Sequence, residues 1–278
     1  MAGHDAFSPS EVALLVETRG VAKATAAVVP TFVLGVVAGA FIALGGVFSI
    51  TIGTGSELGF GPTRWLAGVG FSLGLILVVV AGAELFTGNN LIVMSAVNGD
   101  VGIGRLLANW GVVYLGNAIG ALSVVAMVYV AEWWRGDDLS VGVTALSTAA
   151  VKTSLPFLVV LVRGILANAL VCLAVWLAAA GRSVIDKVAA IVFPISAFVA
   201  AGFEHSVANM FFIPMGLALR GQAGVVEAAH LPSAELSTLD GAGLANNLVA
   251  ATIGNIIGGA VLVGLVYWFV YVRPARSV

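Results

Sequence analysis

Two short stretches place carboxylates where a carboxylate is costly. Gly82-Ala83-Glu84-Leu85-Phe86-Thr87-Gly88-Asn89 and Gly202-Phe203-Glu204-His205-Ser206-Val207-Ala208-Asn209 both read G-x-E-x-x-x-x-N, 120 residues apart, each inside a long apolar run. Ionisable groups in such runs pair, face a hydrated cavity or mark a transport path. Two readings of Glu84 and Glu204 stand open: structural caps on backbone amides where a helix breaks, or members of a proton relay. Asn89 and Asn209 close the clusters and read as caps of the helices that follow. His205 is the asymmetric member, because its counterpart is Leu85. Imidazole exchanges a proton near neutral pH, with a reference pKa of about 6.5. It is either a satisfied core histidine or a donor of a hydrogen bond or proton to a passing anion.

Further polar groups sit along the apolar runs. Asn168 and Asn255, with Asn117 as the mate of Asn255, are amides whose ordinary role is hydrogen bonding between helices; the first two can also face His205. Lys152 precedes the fourth apolar run. It is either a solvated loop charge or an electrostatic lure for small anions. Arg163 lies within that run and requires a partner or a water path.

The elements that position these residues follow from composition. Of 278 residues, 60% are hydrophobic and only 9% charged, against about 25% charged in a soluble domain. The fold class is therefore an all-α membrane protein. A net charge of −2 gives no basis for a nucleic-acid partner. The single Cys172 excludes a disulfide framework and a cysteine metal motif, so no metal and no cofactor is expected. Ser8-Pro9-Ser10-Glu11 reads as a helix start, predicting a short amphipathic helix over 9–22 with Val12, Leu15 and Val16 on its apolar face and Glu11 and Glu17 off it. Six apolar spans follow, at 27–50, 65–96, 106–131, 157–180, 188–219 and 248–272. About 20 residues cross a bilayer. The second and fifth spans are too long for one crossing and contain the two clusters, so each is read as two half-helices joined by non-helical backbone.

The similarity extends beyond the clusters. Leu115-Gly116-Asn117-Ala118-Ile119-Gly120 resembles Ile253-Gly254-Asn255-Ile256-Ile257-Gly258, and Lys23 and Lys152 each stand 16 residues before Gly39 and Asn168. Within one domain (1–278), a first repeat over 27–131 thus matches a second over 152–272. Three spans per repeat make the second copy inverted, which places a pathway near the midplane. With both termini on one side, that side holds seven Lys and Arg against four on the other, with Arg163 inside a span. The bias puts both termini in the cytoplasm, including the segment 1–25 and the tail 273–278.

The sequence resembles the formate–nitrite transporter family over about residues 10–272. The resemblance rests on Phe71-Ser72-Leu73-Gly74-Leu75, Leu85-Phe86-Thr87, Gly164 to Asn168 and Cys172 to Trp176, Gly202 to Phe211, and Thr252 to Gly259. It implies an aquaporin-like protomer in a homopentamer, in the cytoplasmic (inner) membrane of a bacterium. It also implies small monovalent anions as substrates: formate, nitrite, hydrosulfide or related short acids. His205 then matches the central histidine, Lys152 the periplasmic lysine, Thr87 the threonine of a mobile loop, and Asn168 and Asn255 the pathway amides. Phe71 and Phe198 match the outer constriction, and Leu75, Leu85, Phe86 and Val171 the inner one. Gly88-Asn89 departs from the Ser-Thr that follows this threonine in formate channels.

The expected function is a channel or transporter for such anions, formate foremost, passing as anion or as neutral acid after protonation near His205. Nitrite or hydrosulfide is the alternative within the family. An intramembrane metal enzyme using Glu84, Glu204 and His205 is a remoter reading, because no H-x-x-x-H or H-E-x-x-H spacing occurs. A water or glycerol pore would fit the paired half-helices, but the twin Asn-Pro-Ala signature is absent and His205 is an unusual choice for a neutral solute.

Overall fold

Proline and short polar caps set several helix starts. Pro9 occupies the first turn of α1 (Pro9–Thr25), where its missing N–H costs nothing, and Ser8 and Glu11 cap that turn reciprocally. The structure, a computed structural model, describes residues 6–275; positions 1–5 and 276–278, with Arg276 of the expected tail, lie outside the described residues. Then come α2 (Val28–Gly53) and α3 (Phe60–Ala81), two short helices α4 (Phe86–Asn89) and α5 (Val93–Val97), and the long α6 (Ile103–Val130). Next are α7 (Ser140–Ser154), α8 (Phe157–Ala180), α9 (Val184–Ala201) and α10 (Ser206–Leu219). Short α11 (Ala223–Ala229) and α12 (Ser233–Thr238) precede α13 (Gly241–Ile256), which Asp240 caps and which continues to Val272.

Among the described residues, six helices are long and apolar enough to cross a membrane: α2, α3, α6, α8, α9 and Gly241–Val272. Their outward sides carry large apolar groups such as Leu115, Met127, Val130, Ile185 and Phe193, all more than half exposed in the single chain. A multi-pass membrane protein turns such faces to lipid or to another subunit.

The helices pair as α2 with α6 and α3, α3 with α9, and α8 with α13 and α9. Glycine permits the two tightest crossings. A Cβ on Gly120 of α6 would collide with the Val36 carbonyl of α2, and one on Gly258 with the Ile165 carbonyl of α8. Backbones in van der Waals contact supply the packing that lipid does not drive.

Both cluster segments leave the helix at a left-handed glycine, Gly82 with φ 84° and Gly202 with φ 73°. Leu85 and His205 are extended, and helix resumes at Phe86 and Ser206. Beyond Asn255 the long last helix widens into a π-turn over Ile257–Leu265. There the Asn168 Nδ2 donates to the Asn255 carbonyl at 2.7 Å, competing with the regular helix ladder for that acceptor.

Two expectations change. The helix α7 replaces a loop, so Lys152 stands in its last turn. Its sequence of small and hydroxyl residues has weak helical periodicity, and its formation rests on burying Ala145, Leu146, Ala149 and Ala150 in the core. Secondly, Glu17 of α1 is buried instead of lying off the packed face. The Asn98 side chain donates to its carboxylate, and Ser95 Oγ donates to its carbonyl at 2.8 Å. The stretch Leu91–Met94 and the ends of α8 and the last helix give α1 a second packing surface, through Trp176 and Val263.

Gly120→Val and Gly258→Val are each expected to destabilise the protein by about 3 kcal/mol or more. Gly111→Ala, where an added Cβ meets open space, is expected to leave stability level or slightly raised. Thermal unfolding in detergent compares the three.

Candidate functional site

Two non-helical turns buried among helices leave backbone amides that must find partners inside the protein. Asn117 and Asn255 provide them. Asn117 Oδ1 accepts from Phe86 N at 2.9 Å, while its Nδ2 donates to the carbonyls of Gly35 (2.7 Å) and Glu84 (2.9 Å). Asn255 repeats the pattern: Oδ1 accepts from Ser206 N at 2.9 Å, and Nδ2 donates to Gly164 O (2.8 Å) and Glu204 O (3.0 Å). Each amide thus joins a helix crossing to a chain break.

The carboxylates do something different from the expected capping. Glu84 accepts from Lys23 Nζ at 2.8 Å and Asn89 Nδ2 at 2.7 Å. Glu204 accepts from Lys152 Nζ at 3.0 Å, Asn209 Nδ2 at 2.7 Å and Asn247 Nδ2 at 3.3 Å. Among the described residues neither accepts from a backbone amide, and the N-cap positions of the resumed helices are Leu85 and His205, so Glu84, Glu204, Asn89 and Asn209 do not cap them. A buried carboxylate requires a cation and charge-assisted bonds, whereas a neutral carboxamide, with donors and an acceptor, suits an amide and a carbonyl together. Asn89 and Asn209 also donate to Asn109 and Asn247, which in turn hold the carbonyls of Lys23 and Lys152. The two networks match, except that Asn247 Nδ2 also donates to Glu204.

The cluster segments differ at the residue after each glutamate. Where the first has Leu85, the second has His205. Its Nδ1 accepts from the Ala208 backbone N–H at 3.0 Å. A backbone amide can only donate, so Nδ1 carries no proton in this arrangement and the neutral ring has its hydrogen on Nε2. That nitrogen lies 2.9 Å from Thr87 Oγ1, which accepts. The bond joins the two cluster segments, and both side chains are fully buried. Asn168 backs the contact by donating to Thr87 O (3.2 Å) and to Asn90 Oδ1 (2.8 Å). Among the described residues it makes no direct bond to His205, and neither does Asn255.

Two cavities approach this pair from opposite ends of α3. The larger, about 520 Å³, is walled by Arg64, Phe71, Lys152, Arg163, Phe198 and His205 among others. The smaller, about 290 Å³, is walled by Arg19, Lys23, Leu75, Glu84, Leu85 and Asn89 among others. Along α3 the larger cavity ends at Phe71 and the smaller begins at Leu75. At 1.5 Å per residue that is one turn, about 6 Å, while Arg64 and Gly82 stand about 27 Å apart. Phe71 packs edge-on against Phe198 at 5.6 Å between ring centroids, and Phe198 lies 6.0 Å from the His205 ring. Val171 and Phe86 are buried in the core and line neither cavity.

Sequence reasoning missed Lys23, Asn90, Asn109, Asn247 and Phe212 as members of the site. For Lys23 and Asn109 a signal existed, since their spacing parallels Lys152 and Asn247. Asn90 and Phe212 had none, because only the helix crossings bring them to Asn168 and to Phe71. Among the described residues no three His, Cys, Asp or Glu side chains gather as metal ligands.

The family model described as Formate/nitrite transporter matches residues 10–269. The chain belongs to the formate/nitrite transporter family. It is 43% identical over 275 residues to the formate channel FocA of Escherichia coli strain K12, covering 97% of this chain and 96% of that protein. Similarity to the nitrite transporter NirC of the same strain is 35% over 243 residues, or 87% and 83% of the two chains. A solved structure described as a pentameric formate channel with formate bound superposes with a TM-score of 0.81 at 36% identity, covering 88% of this chain and 98% of that one. These are channels and transporters, and the enzyme reading falls with that membership.

The ion pairs give a prediction with a magnitude. The Lys152 and Glu204 side chains are 14% and 3% exposed, against 34% and 15% for Lys23 and Glu84. Lys152→Met strands a buried charge and is expected to cost about 3–5 kcal/mol. Adding Glu204→Gln should restore at least half of that. Lys23→Met should cost less, because water solvates Glu84 in part. Unfolding measurements on the single and double variants check the coupling; strictly additive losses would contradict it.

Proposed function

We propose that the protein is a channel for small monovalent anions, formate foremost, in the cytoplasmic membrane of a bacterium. The observation that carries this reading is the buried Thr87–His205 hydrogen bond between two cavities one helical turn apart. Similarity to FocA favours formate, and similarity to NirC makes nitrite the second substrate. Each protomer of a homopentamer holds its own pore. The matching networks around Glu84 and Glu204 support an inverted repeat. The Lys and Arg bias puts both termini, and the smaller cavity beneath α1, on the cytoplasmic side.

The mechanism follows from cost. An anion enters the larger cavity, where positive charge exceeds negative. Phe71 and Phe198 form the outer constriction, and Leu75 and Leu85 the inner one, with Phe86 and Val171 packed behind it. A bare anion between them loses its hydration at a cost of several kcal/mol. Taking up one proton, to give the neutral acid, removes most of that penalty. The Thr87 hydroxyl, accepting from the Nε2–H of His205, keeps its own hydrogen to donate at the crossing point, and Asn168 and Asn255 hold the backbone around the pair. Forming imidazolium would cost the Ala208 N–H···Nδ1 bond, so the proton reaches the anion through water in the larger cavity, with His205 orienting the acceptor. Lys23 and Lys152 give the two mouths similar charge, and release at the far side completes the cycle in either direction.

His205→Asn keeps a cap acceptor for Ala208 and removes the Nε2–H. It is expected to lower proton-coupled formate uptake into proteoliposomes at least tenfold while the pentamer stays folded. Unchanged proton-coupled uptake would return His205 to the status of a core residue.

A further inference from the structure

The larger cavity holds two arginines that the Thr87–His205 pathway does not use. Arg64, near the start of α3, donates from Nε to Ala200 O at 3.3 Å and from Nη2 to Val199 O at 2.7 Å. Arg163, on α8, donates from Nη1 to Gly202 O at 3.4 Å. A Cβ built on Gly202 would stand 3.2 Å from Arg64 Nη2, so both guanidinium groups reach the same chain end. Neither forms an ion pair: among the described residues the pairs are Lys23–Glu84, Arg135–Glu132 and Lys152–Glu204.

We infer that Arg64 and Arg163 form an anion site at the head of the larger cavity, shaped for a small planar oxyanion that presents two oxygens. The inference rests on the channel reading above and names where the anion waits before the constriction.

The ordinary explanation is that arginines cap the carbonyls at the end of α9. Charge argues against that as the whole role. A helix C-terminus is equivalent to about half a negative charge, against two full guanidinium charges here. The one carboxylate lining the cavity, Glu204, is taken by Lys152. The matching chain break makes the second argument. Glu204 N–H donates to the Arg163 carbonyl at 3.3 Å, and Glu84 N–H donates to the Leu34 carbonyl at 3.2 Å. The corresponding residue there is a leucine, so the break forms without a guanidinium. The arginine side chain is an addition on one side only.

Its unused donors fit the ligand. Arginine has five N–H groups. Three on Arg64 and four on Arg163 remain after the bonds above. A guanidinium fork binds two oxygens side by side. Formate and nitrite present such a pair, whereas hydrosulfide and chloride present a single atom.

The test uses purified full-length protein, with formate and with chloride at equal ionic strength. Formate is expected to raise the unfolding temperature of the wild type more than chloride does. Arg64→Gln and Arg163→Gln should each lose that difference. In proteoliposomes Arg163→Gln should raise the half-saturating formate concentration about fivefold at low salt, as expected for one charge lost at contact distance in water, and the gap should close as salt is added. Arg163→Lys, which keeps the charge without the fork, should recover less than half of the formate effect. Equal stabilisation by formate and chloride in the wild type would overturn the site. So would an Arg163→Gln protein of lowered stability whose half-saturation and formate response match the wild type, leaving only a helix-end cap. Formate-specific stabilisation without any formate uptake would keep the site and refute the channel reading.

Discussion

Backbone outside a helix cannot remain unsatisfied among apolar helices, and the two buried asparagines Asn117 and Asn255 meet that requirement. Each spends one oxygen and two N–H groups on three backbone partners. Removing either would orphan the amide of Phe86 or Ser206 and the carbonyl of Glu84 or Glu204 at the break, at about 1–3 kcal/mol apiece. The rest depends on this. The breaks free Leu85 and His205 from helical geometry, and only an extended residue at 205 lets the imidazole cap its own helix and still reach Thr87. The lysine–glutamate pairs then fix the far sides of the same breaks.

The site is built from near symmetry with two deliberate differences. Matching networks support both breaks, yet His205 faces one cavity where Leu85 faces the other, and Arg163 stands where the first half has Leu34. Both differences add a hydrogen-bond donor to the same cavity. A scaffold whose stability comes from the symmetric part leaves those positions open to chemistry. The burial of Lys152 follows the same logic: with its charge committed to Glu204, the excess positive charge of that cavity belongs to the two arginines.

The six spans and the positions of both clusters were legible in the sequence, because apolar length and a carboxylate within it are local signals. The resemblance to a family was legible in the same stretches. What could not be read was which partner each polar group takes. Glu84 read as a cap of the break and Asn117 as a bond between helices; that Asn117 takes the amide instead depends on Lys23 arriving from α1 to occupy Glu84, which only the tertiary crossing determines. Helix α7 was invisible for a similar reason, since its Ser, Thr, Val and Gly blur the helical signal and its small alanines mark an apolar face only once a buried surface covers them. Arg163 was visible as an anomaly inside an apolar span, but its site needed Arg64 from a helix about 100 positions earlier.

The central claim is that the anion crosses the narrow turn between the cavities with a proton. The direct measurement is the proton stoichiometry of formate entry into wild-type proteoliposomes, with internal pH and labelled formate followed together under a clamped membrane potential. The account predicts one proton entering per formate and a rate insensitive to potential. Formate entry driven by a positive interior with no internal acidification would contradict it.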